Sequence, residues 1–371
     1  MKRVKMMAVV GARPNFVKIA SLARAFGRRA EVDFQIVHTG QHYDAALDEV
    51  FFRQLEIPPP DHHLGVGSDT PNRQIARMLS GLERVFLAEL PDAVLVAGDS
   101  NSTLAGALAA SKMNIPLAHV EAGLRSGDRT MPEEINRIVT DAISDFLFVT
   151  EQAGVDHLTH EGVPENKIFL VGNCMIDTLV LNREKVRGLP HARQFGLLPG
   201  KYILATFHRP SNVDSPEGLE AMLRLIDAVS REWPVVLPLH PRTHDRLAQF
   251  GLVTRLRSMN NIHATDAQGY IEFLDLMAHA AIVLTDSGGI QEETTFLGIP
   301  CLTLRSTTER PVTISLGTNE LLPAPDPATV LVKVRQAVSG KWKTGAVPPL
   351  WDGQAARRIA DILVNKLTQS S

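Results

Sequence analysis

The chain has 371 residues, 44% of them hydrophobic and 21% charged, with a formal net charge of −3. Such a length makes two domains the default, and the near-neutral charge excludes a broad basic surface for nucleic acid or anionic membrane. The two cysteines, Cys174 and Cys301, stand far apart in apolar surroundings; this suits a reducing compartment and supplies neither a disulfide framework nor a cysteine metal site. No apolar run approaches the roughly 18 residues that span a bilayer, and Val4–Gly11 reads as a first strand rather than a signal peptide. The cytoplasm is the expected location.

Short apolar runs alternate with longer amphipathic ones. Strands are predicted at 3–10, 33–39, 93–97, 116–120, 145–149 and 167–171, with helices at 15–28, 71–90, 101–114 and 132–143. A second series begins near residue 201, with apolar runs at 202–206, 235–237, 262–263, 281–284 and 300–304. Near-continuous apolar strands separated by helices mean parallel sheets covered on both faces. The expected fold is α/β, two Rossmann-like doubly wound domains with the active site in the cleft between them. The expected boundaries are 1–183 for an N-terminal domain and 200–350 for a C-terminal one, with a polar linker around 184–200 and a last helix near 353–371 packing back on the first domain.

In such sheets ligands bind beyond the carboxyl ends of the strands. The first strand ends in Gly11-Ala12-Arg13-Pro14-Asn15 with Lys18 beyond it. One glycine is no dinucleotide fingerprint, and no other strand–helix junction supplies one, so a tightly bound nicotinamide cofactor is disfavoured. Arg13 and Lys18 instead place two cations at a helix start, where they oppose the helix dipole; an anion-binding role explains them better than a solvated pair. Run 93–97 ends in Gly98-Asp99-Ser100-Asn101, and any of the last three can cap the next helix. Run 116–120 ends at Glu121, an acid expensive to bury unless it is paired or used. Pro132-Glu133-Glu134 opens a helix, where acids are ordinary chemistry. Asp99, Glu121 and Glu133 would nevertheless gather on one rim, where clustered carboxylates raise one another's pKa and suit acid–base work.

In the second half, run 202–206 ends in Phe207-His208-Arg209, run 235–239 in His240-Pro241-Arg242, and run 300–304 in Arg305 with Arg310 beyond. His208 suits a departing phosphate, and Arg310 a bidentate phosphate clamp. Run 281–284 leads into Asp286-Ser287-Gly288-Gly289-Ile290-Gln291-Glu292-Glu293. This strand, tight turn and helix start exposes backbone N–H groups suited to phosphate, and Glu293 lies within reach of a group such as a ribose. The bland alternative is a structural turn capped by Ser287. The pairs His38/His42 and His240/His244 have i,i+4 spacing but straddle a strand end or a proline, and no carboxylate completes a metal site, so none is expected.

These motifs, together with Thr39-Gly40-Gln41-His42, His119-Val120-Glu121-Ala122-Gly123-Leu124-Arg125 and Thr307-Thr308-Glu309-Arg310-Pro311, occur in an order that resembles the non-hydrolysing UDP-N-acetylglucosamine 2-epimerases across about residues 8–320. The resemblance implies a fold like the B-type glycosyltransferases, commonly dimeric, acting in cell-surface polysaccharide precursor synthesis without a cofactor. It implies that Arg13, Lys18, His208, Ser287, Gly288, Gly289, Glu293 and Arg310 contact UDP, with Phe273 at the uracil. Asp99, Glu121 and Glu133 match the catalytic carboxylates, Arg137 a residue beside them, and Gln41, Arg209 and His240 an allosteric site. The loop at 127–132 is short, and Tyr43-Asp44 follows where allosteric members carry a second glutamine nearby; both features are shared with epimerases of UDP-2,3-diacetamido sugars.

Carbon 2 of the sugar lies next to no carbonyl, so its proton is not acidic. Inversion there requires either transient oxidation or elimination of the neighbouring group. Without a dinucleotide fingerprint, anti elimination of UDP to 2-acetamidoglucal and re-addition is the expected route, the cations stabilising the diphosphate. The alternatives are a diacetamido-sugar epimerase, a hydrolysing relative and a retaining glycosyltransferase on the same fold. Three rim carboxylates are more than a transferase needs.

Overall fold

A computed structural model describes residues 3–41, 45–186, 191–323 and 325–369. His42, Tyr43 and Asp44 therefore lie outside the described residues, as do 187–190 of the expected linker. The chain divides into two compact units, one formed by residues up to Leu181 together with those from Pro349 onward, the other by Asn182–Pro348.

Among the described residues, unit 1 holds seven parallel strands: β1 Val4–Val10, β2 Val32–His38, β3 His62–His63, β4 Ala93–Ala97, β5 Leu117–Ala122, β6 Phe146–Val149 and β7 Ile168–Leu170. Unit 2 holds six: β8 Ile203–Thr206, β9 Val235–Pro238, β10 Ile262–Thr265, β11 Ile282–Thr285, β12 Cys301–Thr303 and β13 Asn319–Leu321. Their spatial orders are β3-β2-β1-β4-β5-β6-β7 and β10-β9-β8-β11-β12-β13. Each sheet runs outward from its first strand in one direction and then resumes on the other side. The order therefore reverses between β1 and β4 in unit 1 and between β8 and β11 in unit 2. These two switch points are where an open α/β sheet leaves a crevice for a ligand.

The central strands are apolar because helices cover both of their faces: every residue of β4, β8 and β11 is buried. In unit 1, Val94 and Val96 pack with Met78, Leu82 and Phe86 of the helix Pro71–Glu89. In unit 2, Ile203, Leu284 and Leu302 pack with Leu223 and Ile226 of the helix Pro216–Ser230.

Several elements depart from expectation. The helix Cys174–Val186 carries residues 184–186, which composition assigned to the linker; its helical propensity outlasts the change in composition. Strand β5 runs to Ala122, so Glu121 lies inside the strand rather than after it. Strands β3 and β13 have two and three residues and no apolar run to reveal them.

The final helix, Ala355–Gln369, belongs to unit 1. Its first turn is held by Asp177, which accepts from the amides of Ala355 and Ala356 at 3.1 and 2.7 Å. Ahead of it, Trp351 is 1% exposed and donates from Nε1 to the Thr150 carbonyl at 3.0 Å. Burial of a tryptophan of this size pins the returning chain to unit 1. Trp351→Ala should cost unit 1 about 3–5 kcal/mol of stability in urea unfolding; a loss below about 1 kcal/mol would show that the returning segment is not anchored there.

Candidate active site

The residues at the ends of β1, β4 and β5 form one cluster, within unit 1. Helix Arg13–Gly27 begins with Arg13 half-buried at its first position. Asn15 ties this start to the neighbouring strand, accepting from the Ala12 amide at 3.1 Å and donating to the Ala97 carbonyl at 2.8 Å. One turn on, Lys18 Nζ lies 2.6 Å from Glu121 Oε2, with both side chains about 5% exposed or less. Lys18 is thus engaged by Glu121 rather than standing as an open cation. Glu121 itself has a φ of +73°, and the β5–β6 register shifts between Val120 and Ala122. A left-handed glutamate at a bulge is a strained backbone, which persists only where its surroundings over-determine it.

At the end of β4 the helix Asn101–Lys112 is capped by Ser100, whose side chain accepts from the Thr103 amide. Asp99 is released from capping, and its Oδ2 lies 2.5 Å from Arg137 Nη2. Arg137 also pairs with Glu134, three residues back on the helix Pro132–Ile143. Glu134 in turn accepts from the Ser126 and Gly127 amides at 3.0 Å each. Burial opposes its charge, but those amides and Arg137 outweigh it and hold the carboxyl below the usual range. Glu133 is half-buried one position earlier. Asp99 and Glu121 each have a cation beside them, Arg137 and Lys18 respectively.

Gln41 is bound within unit 1. Its Oε1 accepts from the Ser102 amide at 3.0 Å and the Ser102 hydroxyl at 2.6 Å, so it serves as a second cap for that helix. His38, buried and stacked between Phe16 and His63, is pushed down to about 4, first by burial and then by His63. Among the described residues, no group of three or more His, Cys, Asp or Glu side chains is arranged to hold a metal ion.

The residues after β8 and β11 form a separate cluster, within unit 2. Asp286, at the end of β11 and fully buried, accepts from the amides of His208 at 3.1 Å and Arg209 at 3.0 Å, and from Asn212 at 2.9 Å. It also lies 3.1 Å from His208 Nδ1. Burial works against its charge, but His208 and Asn212 prevail and hold it below the usual carboxylate range. Asp286 thus fixes both the backbone and the ring of His208. His240 stacks on His208 at 4.9 Å, and its own Nδ1 accepts from the Arg242 amide.

Ser287 precedes the helix Gly288–Leu297 in extended conformation, with no side-chain cap bond. The first amides of a helix have no acceptor within it, which suits a phosphate. A side chain on Gly288 would meet Arg310 Nη1 at 2.6 Å, so glycine lets this guanidinium lie against the helix start. Arg310 is held by Glu309 at 2.6 Å and Glu292 at 3.0 Å. Arg305 joins Glu309 at 2.9 Å. Phe273 is half-buried on the helix Tyr270–Ala278, whose first residue donates from its hydroxyl to Glu293 Oε1 at 2.9 Å. Glu293 is itself buried.

Sequence reasoning gave no role to Asp286, Glu134, Glu292 or Glu309. The signal for Asp286 was present, an acid directly ending an apolar run. Glu134 and Glu309 pair with near neighbours in sequence, Arg137 for the first and Arg305 and Arg310 for the second, and that spacing was the available signal; Glu292 meets Arg310 only through tertiary packing.

A family model described as UDP-N-acetylglucosamine 2-epimerase matches residues 24–364. The chain is 41% identical over 370 residues to the UDP-N-acetylglucosamine 2-epimerase of Methanocaldococcus jannaschii, covering 97% of this chain and 99% of that one. It is also 41% identical over 364 residues to the UDP-2,3-diacetamido-2,3-dideoxy-D-glucuronate 2-epimerase of Pseudomonas aeruginosa, again covering 97% and 99%. The crystal structure of the M. jannaschii UDP-GlcNAc 2-epimerase in complex with UDP-GlcNAc and UDP matches with a TM-score of 0.90 at 40% identity, over 98% of this chain and 100% of that one.

Glu293 provides a test of the unit 2 electrostatics. Burial first, and Glu292 beside it, push its carboxyl from 4.5 up to about 7 despite the Tyr270 hydrogen bond. The folded state then holds this proton more tightly than the unfolded chain. Its contribution is fully present below pH 4.5 and is lost as pH rises through 7. Glu293→Gln removes that slope. The stability of the variant relative to wild type should therefore increase by on the order of 3 kcal/mol between pH 4.5 and 8; a difference independent of pH would contradict the assignment.

Proposed function

The chain belongs to the UDP-N-acetylglucosamine 2-epimerase family, and from that premise we propose that it interconverts UDP-N-acetylglucosamine and UDP-N-acetylmannosamine. The observation that carries this reading is the pair of acids at adjacent strand ends, Asp99 on Arg137 and Glu121 on Lys18, each locked by a cation. Proton transfer at an unactivated carbon needs carboxylates held in fixed orientation.

One carboxylate removes the proton from carbon 2 while the bond from carbon 1 to the diphosphate oxygen breaks, and UDP leaves with the electron pair. The neutral intermediate is 2-acetamidoglucal. UDP then adds back to carbon 1, and a proton reaches carbon 2 on its other face. Asp99, Glu121 and Glu133 share these transfers. His208 faces the departing diphosphate, held by Asp286; Arg13, Arg310 and the amides after Ser287 stabilise its charge. Phe273 takes the uracil and Glu293 the ribose.

A second reading, a 2-epimerase of UDP-2,3-diacetamido sugars, is favoured by the equal 41% identity to the P. aeruginosa enzyme. We further propose a cytoplasmic homodimer supplying a cell-surface polysaccharide precursor; the exposed Leu87 and Leu90 at the end of the helix Pro71–Glu89 support pairing. No described helix is long and apolar enough to cross a membrane.

Proton NMR in deuterated water tests the reading without added cofactor. UDP-N-acetylglucosamine should yield UDP-N-acetylmannosamine carrying deuterium at carbon 2, and Asp99→Asn should lower the rate by about 10²–10⁴-fold with UDP still bound. Turnover of the diacetamido substrate alone would favour the second reading. Release of free N-acetylmannosamine would identify a hydrolase, and no exchange on either substrate would overturn both readings.

A further inference from the structure

A buried ion cluster in unit 1 has no part in the chemistry above. His119 lies in β5 two residues before Glu121 and is fully buried. Its Nδ1 is 2.6 Å from Asp141 Oδ1, and its Nε2 is 2.8 Å from the Gly98 carbonyl. A carbonyl can only accept, so the ring donates from Nε2 to Gly98, while Nδ1 meets the Asp141 carboxyl. The second carboxylate oxygen of Asp141 accepts from the Gly123 amide at 3.1 Å and from Arg125 Nη1 at 2.7 Å. Arg125 is itself anchored on Glu161 at 2.8 and 2.7 Å. Burial disfavours a charged Asp141, but His119 and Arg125 outweigh it and hold the carboxyl below the usual range.

The two backbone groups held by this cluster flank the proposed proton-transfer residues. Gly98 directly precedes Asp99. Gly123 lies two residues beyond Glu121, just past the bulge, with a φ of +80° against the +73° of Glu121. A side chain on Gly123 would meet the Gly154 carbonyl at 2.4 Å, so this turn accepts only glycine. The ring of His157 donates from Nδ1 to the Gly123 carbonyl at 2.9 Å, fixing the other side of the same residue.

We propose that Asp141 is a positioning residue of the reaction: through His119 it holds the turn carrying Asp99, and through the Gly123 amide it holds the bulge carrying Glu121. One buried carboxylate would then set the spacing of two groups that must act in sequence on one carbon. The inference rests on the roles proposed for Asp99 and Glu121.

Asp141→Asn keeps the volume but turns an NH₂ group toward a hydrogen-bond donor. In the purified full chain, kcat with UDP-N-acetylglucosamine should fall by about 10²-fold while KM stays within about threefold. Free 2-acetamidoglucal and UDP should appear as released products, because an intermediate waiting on a displaced carboxylate escapes before its proton returns. A variant with kcat within about threefold of wild type and no released intermediate overturns the inference. Should the variant fail to fold, the wild-type ring decides: ¹⁵N-histidine NMR must show hydrogen on Nε2 of His119, bonded to the Gly98 carbonyl, and an Nε2 without hydrogen breaks the clamp. Wild-type protein that leaves carbon 2 unexchanged overturns the functional reading and this inference together, whereas an active wild type with an equally active Asp141→Asn overturns this inference alone.

Discussion

The ion pair between Lys18 and Glu121 is the constraint on which unit 1 depends. Two opposite charges are almost wholly withdrawn from water at the end of an apolar parallel sheet. Neither is tolerable there alone, since an uncompensated buried ion costs several kcal/mol. The lysine must therefore come from the helix after β1, and the glutamate must turn inward from β5. That requirement holds Glu121 in a left-handed backbone that a glutamate would not otherwise adopt. A buried ion pair adds little net stability; its value is that it admits one arrangement.

The same device recurs wherever chemistry is proposed. Asp99 meets Arg137, which is shared with Glu134. His208 is held by Asp286, and Arg310 lies against Glu292 and Glu309. Each of these three groups arrives already oriented by an opposite charge. A site built this way needs little reorganisation when charge develops on a leaving diphosphate, and preorganisation of that kind is the largest single source of rate in many enzymes. The switch points of the two sheets give these clusters their place, because a strand order that reverses leaves its first helix starts splayed apart.

Much of this was legible in the sequence. The apolar runs marked the central strands to within a residue or two, since a strand buried on both faces has no polar alternation to blur it. Glu121 announced itself as an acid that had no reason to end an apolar run. Ser100 competed with Asp99 for one cap, and the structure gives the cap to Ser100. Other features were hidden for physical reasons. Strands β3 and β13 are too short to carry a pattern. Asp286 acts on residues 74 to 78 positions away, and Asp141 on a histidine 22 positions away; such partners are set by tertiary packing. The pairing of Glu121 with Lys18 and of Asp99 with Arg137 joins residues 103 and 38 positions apart, which no local pattern specifies.

A double-mutant cycle on Lys18 and Glu121 tests the central claim most directly. Lys18→Met alone strands the glutamate and should cost about 3–5 kcal/mol in reversible unfolding. Adding Glu121→Gln removes the stranded charge and should recover about half of that loss or more. Simple additivity of the two substitutions, with the double variant less stable than Lys18→Met, would contradict the claim that this buried pair constrains the carboxylate end of the sheet.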